Sequence, residues 1–184
     1  MNAGREHQTS FQKLLEYEQR SLTQAVAGSV AQESATDCSC VVFRMGDHRL
    51  ALPIDSVGEI LDLPQFSTVP GSKPWILGLS NIRGNLVTVC DLMWFLSGIR
   101  SPLSMRSRLV VTNIRKHPIG LIVDEVLGQR HFNSSESVAT TGFEKTELDD
   151  YVSSEFNGGG ENWGFFQLEN LLGNDQFLNG AAEG

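Results

Sequence analysis

The chain has 184 residues, 40% hydrophobic and 20% charged, a globular balance in a length able to bury about 70% of its unfolded surface. Fourteen Lys and Arg against 22 Asp and Glu leave a net charge of −8, the wrong sign for non-specific binding to nucleic-acid backbones. No apolar run of about 18 residues could cross a membrane as a helix. Lys13, Glu16, Glu18 and Arg20 break up any signal-like apolar stretch, and three cysteines do not make a disulfide framework, so a cytoplasmic protein is expected.

Phe11, Leu14, Leu15, Leu22 and Val26 fall at helical spacing behind Ser10, a candidate N-cap. Glu is absent from the capping-box position, where Lys13 stands. The spacing predicts a short amphipathic helix, packed on its own domain or docked on a partner. Residues 28–37 are small and polar, a linker composition. The expected organisation is therefore a helix and linker over 1–37, a body over 38–174 and a tail over 175–184.

The body has short runs rich in Val, Ile, Leu and Phe. Turn residues separate them at Met45-Gly46-Asp47, Pro70-Gly71-Ser72, Arg83-Gly84-Asn85, Arg115-Lys116-His117-Pro118 and Asn157-Gly158-Gly159-Gly160. That pattern predicts an all-β sandwich or barrel. The body also repeats itself. His48, Leu52, Asp55 and Val57 match His117, Leu121, Asp124 and Val126 at one constant offset. Gly84-Asn85-Leu86 through Asp91-Leu92 then resembles Gly160-Glu161-Asn162 through Gln167-Leu168, and each ends in a predicted helical turn, Met93–Leu96 and Glu169–Leu172. Two related lobes are expected, roughly 38–100 and 101–174, each too small to be comfortable alone. Closure into small barrels would remove their edges and leave a groove between them.

Candidate chemistry is sparse. Cys38-Ser39-Cys40 would place two thiols on one face of a strand, but a zinc site needs further ligands and none stands at ligand spacing. His7, His48, His117 and His131 are dispersed, and the equivalence of His48 and His117 points to turn geometry. No nucleophile elbow, phosphate-binding glycine loop or dinucleotide fingerprint is present. Gly158-Gly159-Gly160 precedes a strand, as a hairpin tip does. Asp124-Glu125 and Asp149-Asp150 are neighbours that a strand would turn to opposite faces. Arg100, Arg106, Arg108, Arg115 and Lys116 form the one basic concentration, without interleaved aromatics, as in a solvated connector. These features favour a binding or adaptor module over an enzyme, with no cofactor and no metal.

One segment carries a resemblance. Gly78-Leu79-Ser80-Asn81-Ile82-Arg83-Gly84-Asn85-Leu86-Val87-Thr88-Val89-Cys90-Asp91-Leu92 resembles the G-x-x-N-L-R-G-x-x-x-P-x-x-D-L motif of the CheW-like domain family, the coupling proteins of bacterial chemosensory arrays. The resemblance extends to Val57-Gly58-Glu59-Ile60-Leu61, Pro70-Gly71-x-x-Pro74 and Gly120-Leu121-Ile122-Val123-Asp124-Glu125-Val126, covering about Cys40 to Leu172. It implies a mainly β fold of two five-stranded barrel lobes. Pro70 to Trp75, Gly120 to Phe132, the Leu14–Arg20 helix and the Phe177-Leu178 tail are similar to the family's type IV pilus twitching-motility branch.

The resemblance further implies a non-catalytic adaptor that binds a CheA-type histidine kinase and the cytoplasmic tip of a methyl-accepting chemoreceptor, recruited to receptor arrays without inserting into the membrane. It assigns Glu59 and Arg83, with apolar Ile54 and Val57, to the kinase-facing surface. Val123, with Val111 as its neighbour, falls to the receptor side. The chain departs from the pattern at Thr88, where Pro is usual, at Gln167, where Asp often stands, and throughout 139–157. A flagellar chemotaxis coupling protein and a small-molecule-binding β-protein are the alternative readings.

Overall fold

The computed structural model describes residues 38–112, 118–133, 137–138, 143 and 146–179. The helix expected near the N-terminus, and Arg115, Lys116 and His117, lie outside the described residues. The body is one unit, Asp37–Gly184.

Its strands are β1 (Cys38–Met45), β2 (His48–Pro53), β3 (Val57–Asp62), β4 (Ile76–Ile82), β5 (Asn85–Asp91), β6 (Arg108–Thr112), β7 (Ile119–Val123), β8 (Glu125–Phe132), β9 (Ser137–Val138), β10 (Val152–Gly158) and β11 (Glu161–Phe166). Among the described residues, α1 (Leu92–Ser97) follows the β4–β5 hairpin, and α2 (Leu168–Leu172) and then α3 (Asp175–Leu178) follow β10–β11. The strands form two sheets, one ordered β8-β1-β2-β11-β10-β9 and the other β3-β6-β7-β5-β4. The two orders are equivalent under the sequence repeat, apart from the two-residue β9. Even the parallel contacts correspond, β11 with β2 and β5 with β7.

This topology corrects the expected division at residue 100. Each repeat surrenders its first hairpin to the other's sheet: β1–β2 joins β8 and β10–β11, and β6–β7 joins β3 to β5. The crossings fall at Ile54–Ser56 and at Asp124, so the matched acids Asp55 and Asp124 mark the points where the chain changes sheet. Asp124 is nearly buried. Its Oδ2 accepts from Arg44 Nη1 at 3.0 Å and from the Gly46 amide at 2.8 Å, fastening the crossing to the β1–β2 turn.

The exchange explains the uninterrupted apolar runs of β1, β6 and β7, because strands buried on both faces lose polar alternation. Leu109, Val111 and Ile122 fill the second sheet's interior with Leu77, Val87 and Val89. Val110, Leu121 and Val123 turn the other way, to a core shared with Phe43, Leu50 and Leu52 of the first sheet. Cys40, Val42, Ala51, Phe132 and Trp163 fill the first sheet's interior.

The second sheet's edges are tied by the chain that continues from β3. Ser67 and Leu79 exchange backbone hydrogen bonds of 2.8 and 2.9 Å, and Ser80 Oγ donates to the Gln65 carbonyl at 2.9 Å. Gly78, at φ +154°, permits this approach, since a Cβ there would collide with the Ser67 carbonyl. Asp91 ends the circuit. Its buried carboxylate caps α1 through the Trp94 amide and accepts from the amide and hydroxyl of Ser101. Gln167, at the equivalent position, makes no cap and donates instead to Ser153 Oγ.

Candidate interaction site

The β4–β5 hairpin turns through Arg83-Gly84, both at positive φ, +52° and +87°. Tight two-residue hairpins require this geometry, which Asn and Gly adopt readily and arginine does not. Arg83 is the one non-glycine residue with positive φ among the described residues, and its counterpart in the second repeat is Gly159, at φ +67°. Asn81 Oδ1 supports the turn by accepting from the Gly84 amide at 2.8 Å. Arg83 is therefore held in the conformation that the sister repeat gives to glycine, at a cost in strain for an L-residue.

Its contact is Glu59 on β3. Arg83 Nη2 lies 2.6 Å from Glu59 Oε1, with the arginine side chain 80% exposed and the glutamate 22%. Glu59 Oε1 is itself buried, and the arginine is the charge that faces it. Glu59 sits directly across the β3–β6 ladder from Val111, and Val57 across from Thr112.

The structure thus brings Glu59, Arg83 and Val111 together. Ile54 is exposed in the turn at the sheet crossing, and Val57 is half-buried against the shared core. Val111 and Val123, expected on a receptor-facing surface, are both buried, Val111 in the second sheet's interior and Val123 in the shared core. Both faces of β6 and β7 carry core, so neither valine is left for a partner. Sequence reasoning missed Leu86, 63% exposed on the same hairpin and paired with Asn81. Period two would have found it, because Val87 and Val89 point inward and Leu86 must point out.

The basic connector is tied to the domain. Arg100 lies over Trp94 at 5.4 Å, Arg108 pairs with Asp62 at 3.2 Å, and Arg106 stands 3.9 Å from Glu125. His48 packs its ring on Phe143 at 5.4 Å. No cluster of three potential metal ligands and no membrane-length apolar helix occurs among the described residues.

The described residues thus form two repeat-exchanged sheets with a charged pair at the β4–β5 turn. The chain belongs to the CheW-like domain family, which matches over residues 39–176, a family of non-catalytic scaffolds that couple receptors to CheA kinase. It is 39% identical to Protein PilI of Pseudomonas aeruginosa over 68% of this chain and 70% of that protein. Protein FrzA of Myxococcus xanthus is 33% identical over 55% of this chain and 64% of its own length. The crystal structure of the scaffolding protein TtCheW from Thermoanaerobacter tengcongensis has the same fold, with a TM-score of 0.63, 22% identity and coverage of 72% of this chain and 90% of that one.

Proposed function

We propose that this protein is a non-catalytic chemosensory adaptor that couples a methyl-accepting chemoreceptor to a CheA-type histidine kinase and controls type IV pilus twitching motility. It works in the cytoplasm, recruited to receptor arrays at the membrane. The Glu59–Arg83 pair, with Ile54 and Val57, is the kinase-facing surface. The observation that carries this reading is an arginine kept in a left-handed turn conformation and paired with Glu59, within a CheW-like domain. The likeness to PilI supports the pilus system as the setting.

A tagged chain and its Arg83→Glu variant, each used to capture partners from native lysate, test the proposal. Wild type should retain a histidine kinase and a chemoreceptor, and the folded variant should lose at least one. Equal capture by both would remove the site assignment. Capture of neither by wild type would remove the coupling role. A flagellar setting is the second reading, favoured by 31% identity to a probable chemotaxis protein CheW of Rhizobium etli. A deletion strain separates the two, because the first predicts lost twitching and the second lost chemotactic swimming.

A further inference from the structure

The paired thiols at the start of β1 have no part in the coupling surface. Cys38 and Cys40 share one strand face with Sγ atoms 3.4 Å apart. Cys38 is half-buried and accessible at the end of the first sheet's interior, whereas Cys40 is buried among Val42, Ala51, Phe132 and Trp163. The third cysteine, Cys90, lies in the shared core. We propose that Cys38 and Cys40 form a peroxide-responsive modification site, which closes reversibly into an intrastrand disulfide.

The chemistry divides between the two sulfurs by exposure. The Cys38 thiolate attacks a peroxide oxygen, the O–O bond breaks, and Cys38 becomes a sulfenic acid with release of one water. Cys40 sulfur then attacks the sulfenic sulfur. The S–S bond forms as the S–O bond breaks, and the hydroxyl leaves as a second water with the Cys40 proton. Two thiols and one hydrogen peroxide give one disulfide and two waters. Burial, with a contribution from Cys38, pushes the Cys40 thiol up, which disfavours it as the first site of oxidation, and its 3.4 Å approach to Cys38 Sγ makes the neighbour its reaction partner.

Geometry makes the bond labile. Residues two apart on a strand stand about 6.6 Å apart at Cα, close to the upper limit of about 6.8 Å for disulfides. Closure must therefore pinch β1 where Cys38 and Cys40 pair with Phe132 and Arg130 of β8. Strained disulfides are the easily reduced, regulatory ones.

The full-length reduced chain treated with hydrogen peroxide, then alkylated and analysed by peptide mass spectrometry, tests this. The peptide containing Cys38 and Cys40 should lose two hydrogens and escape alkylation at both sulfurs, and glutathione should restore it. Cys90 should stay reduced, reporting an intact fold. In Cys40→Ser, a sulfenic acid at Cys38 should persist and be trapped by dimedone, and in Cys38→Ser Cys40 should remain a thiol. Independent oxidation of Cys40 in Cys38→Ser, a disulfide between two chains, or an intrastrand bond that resists glutathione would each overturn the proposal.

Discussion

Glu59 and Arg83 belong to elements at opposite ends of their sheet's hydrogen-bonding order, β3 and the β4–β5 turn, yet their side chains meet at 2.6 Å. Two edges of a flat sheet of five strands could not do this. The pair therefore reports the curling of the second sheet, which the Ser67–Leu79 backbone bonds secure lower down. Its energetic weight is small, since exposed ion pairs contribute about 0–1 kcal/mol.

Charge reversal separates stability from binding. Arg83→Glu should leave the unfolding free energy within about 1 kcal/mol of wild type while weakening kinase binding at least about tenfold, the equivalent of roughly 1.4 kcal/mol. The exchanged pair Glu59→Arg with Arg83→Glu should regain stability but not binding if the partner reads the order of the charges. Urea unfolding and calorimetric titration against the purified kinase measure both.

Arg83→Gly tests the strain directly. A left-handed L-residue costs about 1–2 kcal/mol, and glycine returns part of that gain as unfolded-chain entropy, about 0.4–1 kcal/mol. The variant should be more stable than wild type by several tenths of a kcal/mol and bind more weakly. Reduced stability would show that Arg83 is held there for the fold.

Gly78→Ala should destabilise by about 1–3 kcal/mol or more, because the new Cβ drives into the Ser67 carbonyl of the closing segment. Gly84→Ala loses only the positive φ, with no atom within 4 Å of the added carbon, and should cost less. Denaturant curves of the two variants give the comparison.

Alkaline stability should carry the mark of Cys90. Burial, helped by the Asp91 charge, raises its thiol from 9.0 to about 12. The folded state thus holds the proton more tightly than the unfolded state. The contribution is intact below pH 9 and is lost as pH rises towards 12. Plotted against pH, the melting temperature of Cys90→Ala should start lower, from the lost packing, and fall less steeply above pH 9 than that of wild type.

The exchange of hairpins predicts that fragments 38–100 and 101–174 each fail to show a cooperative transition alone and recover one when mixed. Circular dichroism melts of the separate and combined fragments test this. Two independent transitions would contradict the topology.

Strands, turns and the double-lobe character were legible because they are local. Gly46, Gly84 and the Gly159-Gly160 pair announce tight turns, and β-branched runs announce strands. The repeat showed that the two lobes are alike. It did not show which half of the chain supplies which strand, since equivalent hairpins fit equivalent slots in either lobe. Glu59 and Arg83 came from resemblance, and their contact depends on curling that no periodicity encodes. Val111 and Val123 also came from resemblance, and a run such as Leu109-Val110-Val111 has no polar face, so alternation does not reveal its cores on both sides.

The interleaved order also governs how the chain is made. Residues 57–123 supply every strand of the second sheet, so that sheet can be completed as soon as β7 leaves the ribosome. The β1–β2 hairpin, synthesised first, must wait for β8 and β11 with both flanks open. For most of translation it is an exposed template for pairing with other nascent chains. The cost of the reciprocal architecture therefore falls on the newborn protein, whose first hairpin waits longest for its neighbours.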